Sequence, residues 1–200
     1  MELNQWQVAY AEHYVCKNME FFSISELEKA GLRTISATVP GELQLDMMRH
    51  GIIEDLFYSK NTLKAQRLEN LHAWYYTRFD AEPDTHLKFF GIDTVADIYL
   101  NGKKVLSVSN MFLEYEIFDP LKETGNELIV HIKPLCIEAR NYELPAACMT
   151  HAPYNYAALY MRKAAHAYGW DIMPRIVTCG IWKPVALVKT KKNRIKHVFL

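Results

Sequence analysis

Neither sign of charge prevails in this 200-residue chain: Lys and Arg number 23, Asp and Glu number 23, and the formal net charge is zero. That balance removes the simplest electrostatic route to a nucleic acid or an anionic membrane, and neither partner is expected. Long apolar runs are missing too, since no stretch approaches the ~20 residues of a membrane span. Cysteines are few (Cys16, Cys136, Cys148 and Cys179), and no two form a CxxC. A disulfide-rich miniprotein is thereby excluded, and buried free thiols are the expectation. The one metal-like fragment, Cys148-x-x-His151, lacks a second half-site, so no metal and no cofactor is expected. Rossmann and phosphate-loop glycine patterns, a GxSxG elbow and internal repeats are all absent. Met1 to Trp6 shows no basic n-region ahead of an apolar h-region. The compartment stays open: periplasmic or secreted if a signal peptide was removed, cytoplasmic otherwise.

What is present suits a packed core. Half of the residues are hydrophobic and 12% are aromatic, which fits one sizeable domain or one domain plus the start of another. Strands are predicted within Gln5–Tyr10 and around Leu32–Val39. Pro40-Gly41 then opens one clear helix near residues 41–50, with Leu43, Met47, Met48 and Ile52 close to helical spacing and Gly51 at its end. Residues 54–61 read as an irregular loop. From residue 72 the period is close to two: an aromatic strand over His72–Phe79, a strand with Leu87 and Phe89 on one face, and Thr94–Leu100 with Ala96, Ile98 and Leu100 aligned. Asn101-Gly102 fits a two-residue type I′ turn. Met111 to Phe118 alternate, and Leu128, Val130 and Ile132 form the inner face of a further strand. Short strands with such turns predict an all-β antiparallel sandwich.

The segment Pro134–Tyr160 breaks that rhythm and predicts a functional loop or a short helix. Strand character returns over Ile181–Lys189. Lys189 to Asn193 reads as a polar linker, and Ile195–Leu200 as the opening of a new apolar stretch. The expected division is therefore 1–189 as one domain and 190–200 as linker and the start of a second, cut through a longer protein.

Candidates for chemistry are sparse. A retaining glycosidase needs two carboxyl groups about 5–5.5 Å apart, and no spacing here marks such a pair; Asn126-Glu127 follows Gly125 and reads as turn chemistry. One cluster combines aromatic and charged residues around glycines and prolines: Met161 to Arg175, followed by Cys179 to Val185. Such a mixture suits sugar binding, with an indole on the C–H face of a pyranose and Asp or Arg on hydroxyl pairs. By composition alone, a core Trp beside a surface Asp–Arg pair is the more ordinary reading. Composition leaves both open.

Arg162-Lys163, Gly169-Trp170-Asp171 and Gly180-Ile181-Trp182-Lys183-Pro184-Val185 resemble the end of the N-terminal domain of β-mannosidases in glycoside hydrolase family 2. Three more segments agree in order: Val39-Pro40-Gly41 through Tyr58, Trp74 to Phe79, and Phe90 to Gly102 with Gly125 to Leu128. The resemblance implies a galactose-binding-like jelly roll, followed in such proteins by an immunoglobulin-like domain and a (β/α)₈ barrel with both catalytic glutamates. A barrel takes about 250 residues, so this chain is expected to hold no catalytic residue. Its role would be a non-catalytic wall of the pocket of an exo-acting hydrolase of β-linked sugars, terminal mannose or a relative. The rival is a stand-alone carbohydrate-binding module. The resemblance places Trp170 and Asp171 on the sugar, with Arg162 and Arg175 as scaffold that pairs with Asp171 and holds its carboxylate. Trp182 is expected in the core. The family pattern continues with a second Trp and a Gly, where this chain has Ile172 and Met173.

Overall fold

The computed structural model describes residues 1–143 and 157–191. Its strands are β1 (Trp6–Glu12), β2 (Arg33–Ala37), β3 (Leu71–Phe79), β4 (Thr85–Phe89), β5 (Ala96–Leu100), β6 (Lys103–Val108), β7 (Tyr115–Ile117), β8 (Asn126–Ile132) and β9 (Val185–Lys189). They form a six-stranded sheet in the order β2-β1-β3-β8-β5-β6 and a three-stranded sheet in the order β7-β4-β9. Every pairing is antiparallel. The expected all-β sandwich is what the chain builds.

The registers explain the core. Across β3, β8 and β5, Ala73 lies beside Ile132 and Ala96, Tyr75 beside Val130 and Ile98, and Thr77 beside Leu128 and Leu100. With period two, these positions share one face. That face meets Leu87, Phe89, Ile117, Val185 and Leu187 of the smaller sheet. Fully burying each such side chain contributes roughly 1.5–3 kcal/mol. Asn101 and Gly102 both take positive φ, 51° and 84°, and close the β5–β6 hairpin as the turn chemistry requires.

Both faces of β3 are covered. Trp74 and Tyr76 point away from the sandwich and form a second core with Ala9, Tyr99 and Ile129, roofed by Phe21, Ile24 and Leu27. The roof contains helix α2 (Ile24–Lys29), following the single turn α1 (His13–Cys16). A capping box starts α2: Glu26 N–H donates to Ser23 Oγ at 3.2 Å, and Ser23 N–H donates to Glu26 Oε2 at 3.3 Å.

The helix expected near 41–50 is α3 (Leu43–Arg49), but α2, α4 (Asn61–Ala65) and α5 (Leu135–Glu138) stand beside it. The strand expected from Met111 to Phe118 is confined to Tyr115–Ile117. Asn110 Oδ1 accepts from Phe112 N–H at 2.9 Å, and this local bond turns the chain before the ladder begins. Strand β9 likewise starts at Val185, because Pro184 has no N–H to donate. At the expected boundary, Thr190 N–H still donates to Asp84 O at 2.7 Å. Residues 192–200, together with Pro145, Cys148, His151 and Pro153, lie outside the described residues.

Candidate functional site

The cluster at 161–185 leaves the sandwich as a narrow finger. Trp170 N–H donates to Met173 O at 3.0 Å, and Met173 N–H donates back to Trp170 O at 3.1 Å, so Asp171 and Ile172 form a two-residue tip. Further down, Ile176 N–H donates to Ala167 O at 3.1 Å. Gly169 turns at φ +89°, and a Cβ there would lie 3.2 Å from Arg175 Cβ and 3.3 Å from its backbone N. The strands of the finger approach that closely because residue 169 has no side chain.

The tip stands in solvent. Trp170 is 76% exposed and Ile172 88%, whereas Trp74 is fully buried. Asp171 is exposed as well. The tip thus presents to solvent a flat apolar face and, next to it in sequence, a hydrogen-bond acceptor.

Below the tip the contacts differ from the expected scaffold. Arg175 does not hold Asp171; it forks onto Glu69, with Nε donating to Oε1 at 2.8 Å and Nη2 to Oε2 at 2.7 Å. Its guanidinium also lies 5.7 Å from the centre of the Tyr168 ring. Arg162 is exposed and contributes its main chain, its carbonyl accepting from Met111 N–H at 3.0 Å. Among the described residues neither arginine pairs with Asp171. The reason is reach: the finger turns Asp171 outward at the tip while Arg175 sits at its base.

The pair that roots the segment is Lys163 with Asp93, both side chains almost fully buried. Lys163 Nζ also donates to Thr178 O at 3.0 Å. Asp93 precedes a cis peptide bond to Thr94. Nearby, burial and the Asp93 charge push the Glu42 carboxyl upward, against the pull of Lys163 and Thr178. Burial, then the Asp93 charge, pushes the Cys179 thiol up to about 12; burial and Glu69 do the same to Cys136. Cys16, Cys136 and Cys179 are free. Among the described residues no three His, Cys, Asp or Glu side chains are arranged to hold a metal ion.

Trp182, expected in the core, is half-buried, and its Nε1–H donates to Met111 O at 3.0 Å. Asn126, read as turn chemistry, is fully buried and bonded to main chain on two sides of its turn. A cleft of about 420 Å³ lies elsewhere, lined by residues including Tyr10, Glu12, Arg33, Met47, Arg67 and Leu71. The tip itself is convex, so it can supply only one side of an enclosure.

The family model described as glycosyl hydrolase 2 galactose-binding domain-like matches residues 21–183. The chain belongs to that family. A β-mannosidase B of Thermothelomyces thermophilus is 35% identical to this galactose-binding-like domain over 159 residues, covering 74% of this chain and 18% of that protein. A β-mannosidase A of Emericella nidulans is 30% identical over 183 residues, covering 82% of this chain and 19% of that protein. The crystal structure of a β-D-mannosidase from Dictyoglomus thermophilum superposes with a TM-score of 0.75 at 31% identity, over 94% of this chain and 22% of that one. The chain thus spans about a fifth of the length of these relatives. An exo-chitosanase from Amycolatopsis orientalis, 17% identical with a TM-score of 0.52, shares the fold.

Proposed function

We propose that this chain serves as the non-catalytic N-terminal domain of an exo-acting β-mannosidase-like hydrolase and lends the Trp170–Asp171 tip to its sugar pocket. The observation that carries this is the tip: an indole 76% exposed beside an exposed carboxylate, on a turn closed by two main-chain bonds. Trp170 would stack on the apolar face of the terminal sugar, and Asp171 would accept from its hydroxyls. The parent reaction would be hydrolysis of a terminal β-mannosyl bond with retention, both glutamates being supplied by a barrel domain outside this chain. Residues 190–200 would lead into an immunoglobulin-like domain. The β-mannosidase names of the relatives support the glycone; Ile172, aliphatic where the family pattern has Trp, trades a ring face for bulk at the tip.

The test is Asp171→Ala in the full-length protein, assayed on terminal β-mannosides. A hydrogen bond to a charged acceptor contributes about 1.5–3 kcal/mol, so kcat/KM should fall roughly 10- to 100-fold. Thermal stability should stay unchanged, because the side chain is exposed. Full activity in the variant would overturn the reading. The isolated chain should show little affinity for mannose, since a convex tip encloses nothing; tight binding by the isolated chain would favour a free-standing module.

A further inference from the structure

Arg175 has its charge satisfied 106 residues away in sequence, on Glu69. Glu69 sits in the 3₁₀ turn Gln66–Asn70, which leads directly into β3, the strand covered on both faces. The pair is mostly shielded from water, and its geometry is a planar fork, with two parallel bonds of 2.8 and 2.7 Å. Such a fork restrains direction as well as distance, as a single ammonium contact does not. Cys136 adds a third member: its thiol donates to Glu69 Oε2 at 3.3 Å, and Arg175 Nη2 approaches its sulfur at 3.4 Å. Arg175 is also held to the other leg of the finger: its guanidinium lies over the Tyr168 ring, and its backbone passes so near Gly169 that a Cβ there would come within 3.3 Å of its N. These contacts flank Trp170 immediately on its N-terminal side and at the opposite leg of the finger.

We propose that Glu69 is the positioning residue of the sugar-binding tip: through its fork on Arg175 it holds the base of the finger against the core and so fixes where Trp170 and Asp171 stand. The proposal rests on the reading that these two residues contact the sugar. Without the fork, the finger keeps its own turn bonds but loses the side-chain tie between its base and the 3₁₀ turn Gln66–Asn70. A displacement near 1 Å at a positioning group is enough for losses of about 100-fold in rate.

The experiment uses the full-length protein with Glu69→Gln, which preserves shape and removes the charge, and with Arg175→Lys, which keeps the charge and removes the fork. Time-resolved anisotropy of Trp170, isolated as the difference from a Trp170→Phe background, reads the finger without any sugar. Its fast-motion amplitude should rise in both variants, and kcat/KM on a terminal β-mannoside should fall about tenfold or more. Combined with Asp171→Ala, Glu69→Gln should add little further loss, because both act through one tip. Unchanged anisotropy, or losses that multiply independently, would overturn the proposal; a merely structural Glu69 predicts the second. If Asp171→Ala is fully active while anisotropy rises in Glu69→Gln, the clamp stands and the sugar reading falls. Should Glu69→Gln fail to fold, Arg175→Lys gives the same readouts.

Discussion

Lys163 and Asp93 lie 70 residues apart in sequence and meet with both side chains almost wholly out of water, the ammonium also donating to Thr178 O at 3.0 Å. This contact ties the segment that carries the finger to the turn following β4. Burying either charge alone is costly, and each is tolerated because the other is present.

Removing one partner therefore strands the other. Lys163→Met and Asp93→Asn should each lower the unfolding free energy by about 3–5 kcal/mol in urea titrations. The double variant Lys163→Met/Asp93→Asn should recover part of that loss. If the single variants lie within about 0.5 kcal/mol of the parent, the range expected of neutral surface changes, the pair does not root the segment.

Gly180 is fixed by space. A Cβ there would come within 2.4 Å of Gly41 O and 2.7 Å of Glu42 Cα, both belonging to main chain that Cys179–Ile181 bonds directly. Gly180→Ala should cost at least the 1–3 kcal/mol typical of overpacking. At Gly102, with φ +84° and nothing within 4 Å, alanine meets only backbone strain of about 1–2 kcal/mol. Thermal denaturation of the two variants should rank them in that order; the reverse ranking would refute the close approach.

Three imidazoles form a chain on the outer face of the large sheet: His13 Nδ1 lies 2.9 Å from His72 Nε2, and His72 Nδ1 lies 2.8 Å from His131 Nε2. Burial, then the neighbouring His13 and Lys133, lowers His72 to about 4; burial, then His72 and the lysines 133 and 104, lowers His131 to about 3 against the pull of Asp97. Above pH 6.5 both are neutral folded and unfolded, and pH has no leverage. Below it the unfolded chain binds protons that the folded chain refuses, so stability falls as pH drops from about 6.5 toward 4. Urea midpoints over that range should decline, and His131→Asn should flatten the decline. A midpoint independent of pH across that window would contradict the neutral stack.

Asn126 gathers bonds from three segments: its Oδ1 accepts from Lys122 N–H at 2.9 Å and Asn101 Nδ2 at 3.0 Å, and its Nδ2 donates to Lys122 O at 2.7 Å and to Phe79 O at 3.3 Å. Asn126→Ala should cost at least the 1–3 kcal/mol of one unsatisfied buried group, with no effect on sugar hydrolysis. Loss of kcat/KM at unchanged stability would assign it a role in the site.

The sandwich was legible because its inner faces repeat every second residue, as in Ala96, Ile98 and Leu100, and because Asn101-Gly102 marks a hairpin by its own backbone preference. Where local side-chain bonds compete with the ladder, as at Asn110, period two overstated the strand. The roof over Trp74 gives no such rhythm, since α2 buries only Ile24 and Leu27 and relies on a capping box for its start. At the proposed site, Trp170 and Asp171 could be named from their motif, and Arg175 with them. Its partner could not, because Glu69 stands on an unremarkable helical turn 106 residues away.

The sequence by itself determined the alternating hydrophobic faces of the strands and the Asn101-Gly102 turn, which depend on neighbours within a few residues, and the family, which four motifs in order carried. Only the tertiary structure decided that Trp170 stands in solvent while Trp74 is sealed, that Arg175 serves Glu69 and not Asp171, and that Lys163 can be buried at all. Exposure and charge pairing are properties of the packed chain: an indole or a guanidinium has the same local chemistry in either setting, and what surrounds it comes from segments that meet only when the sheets close.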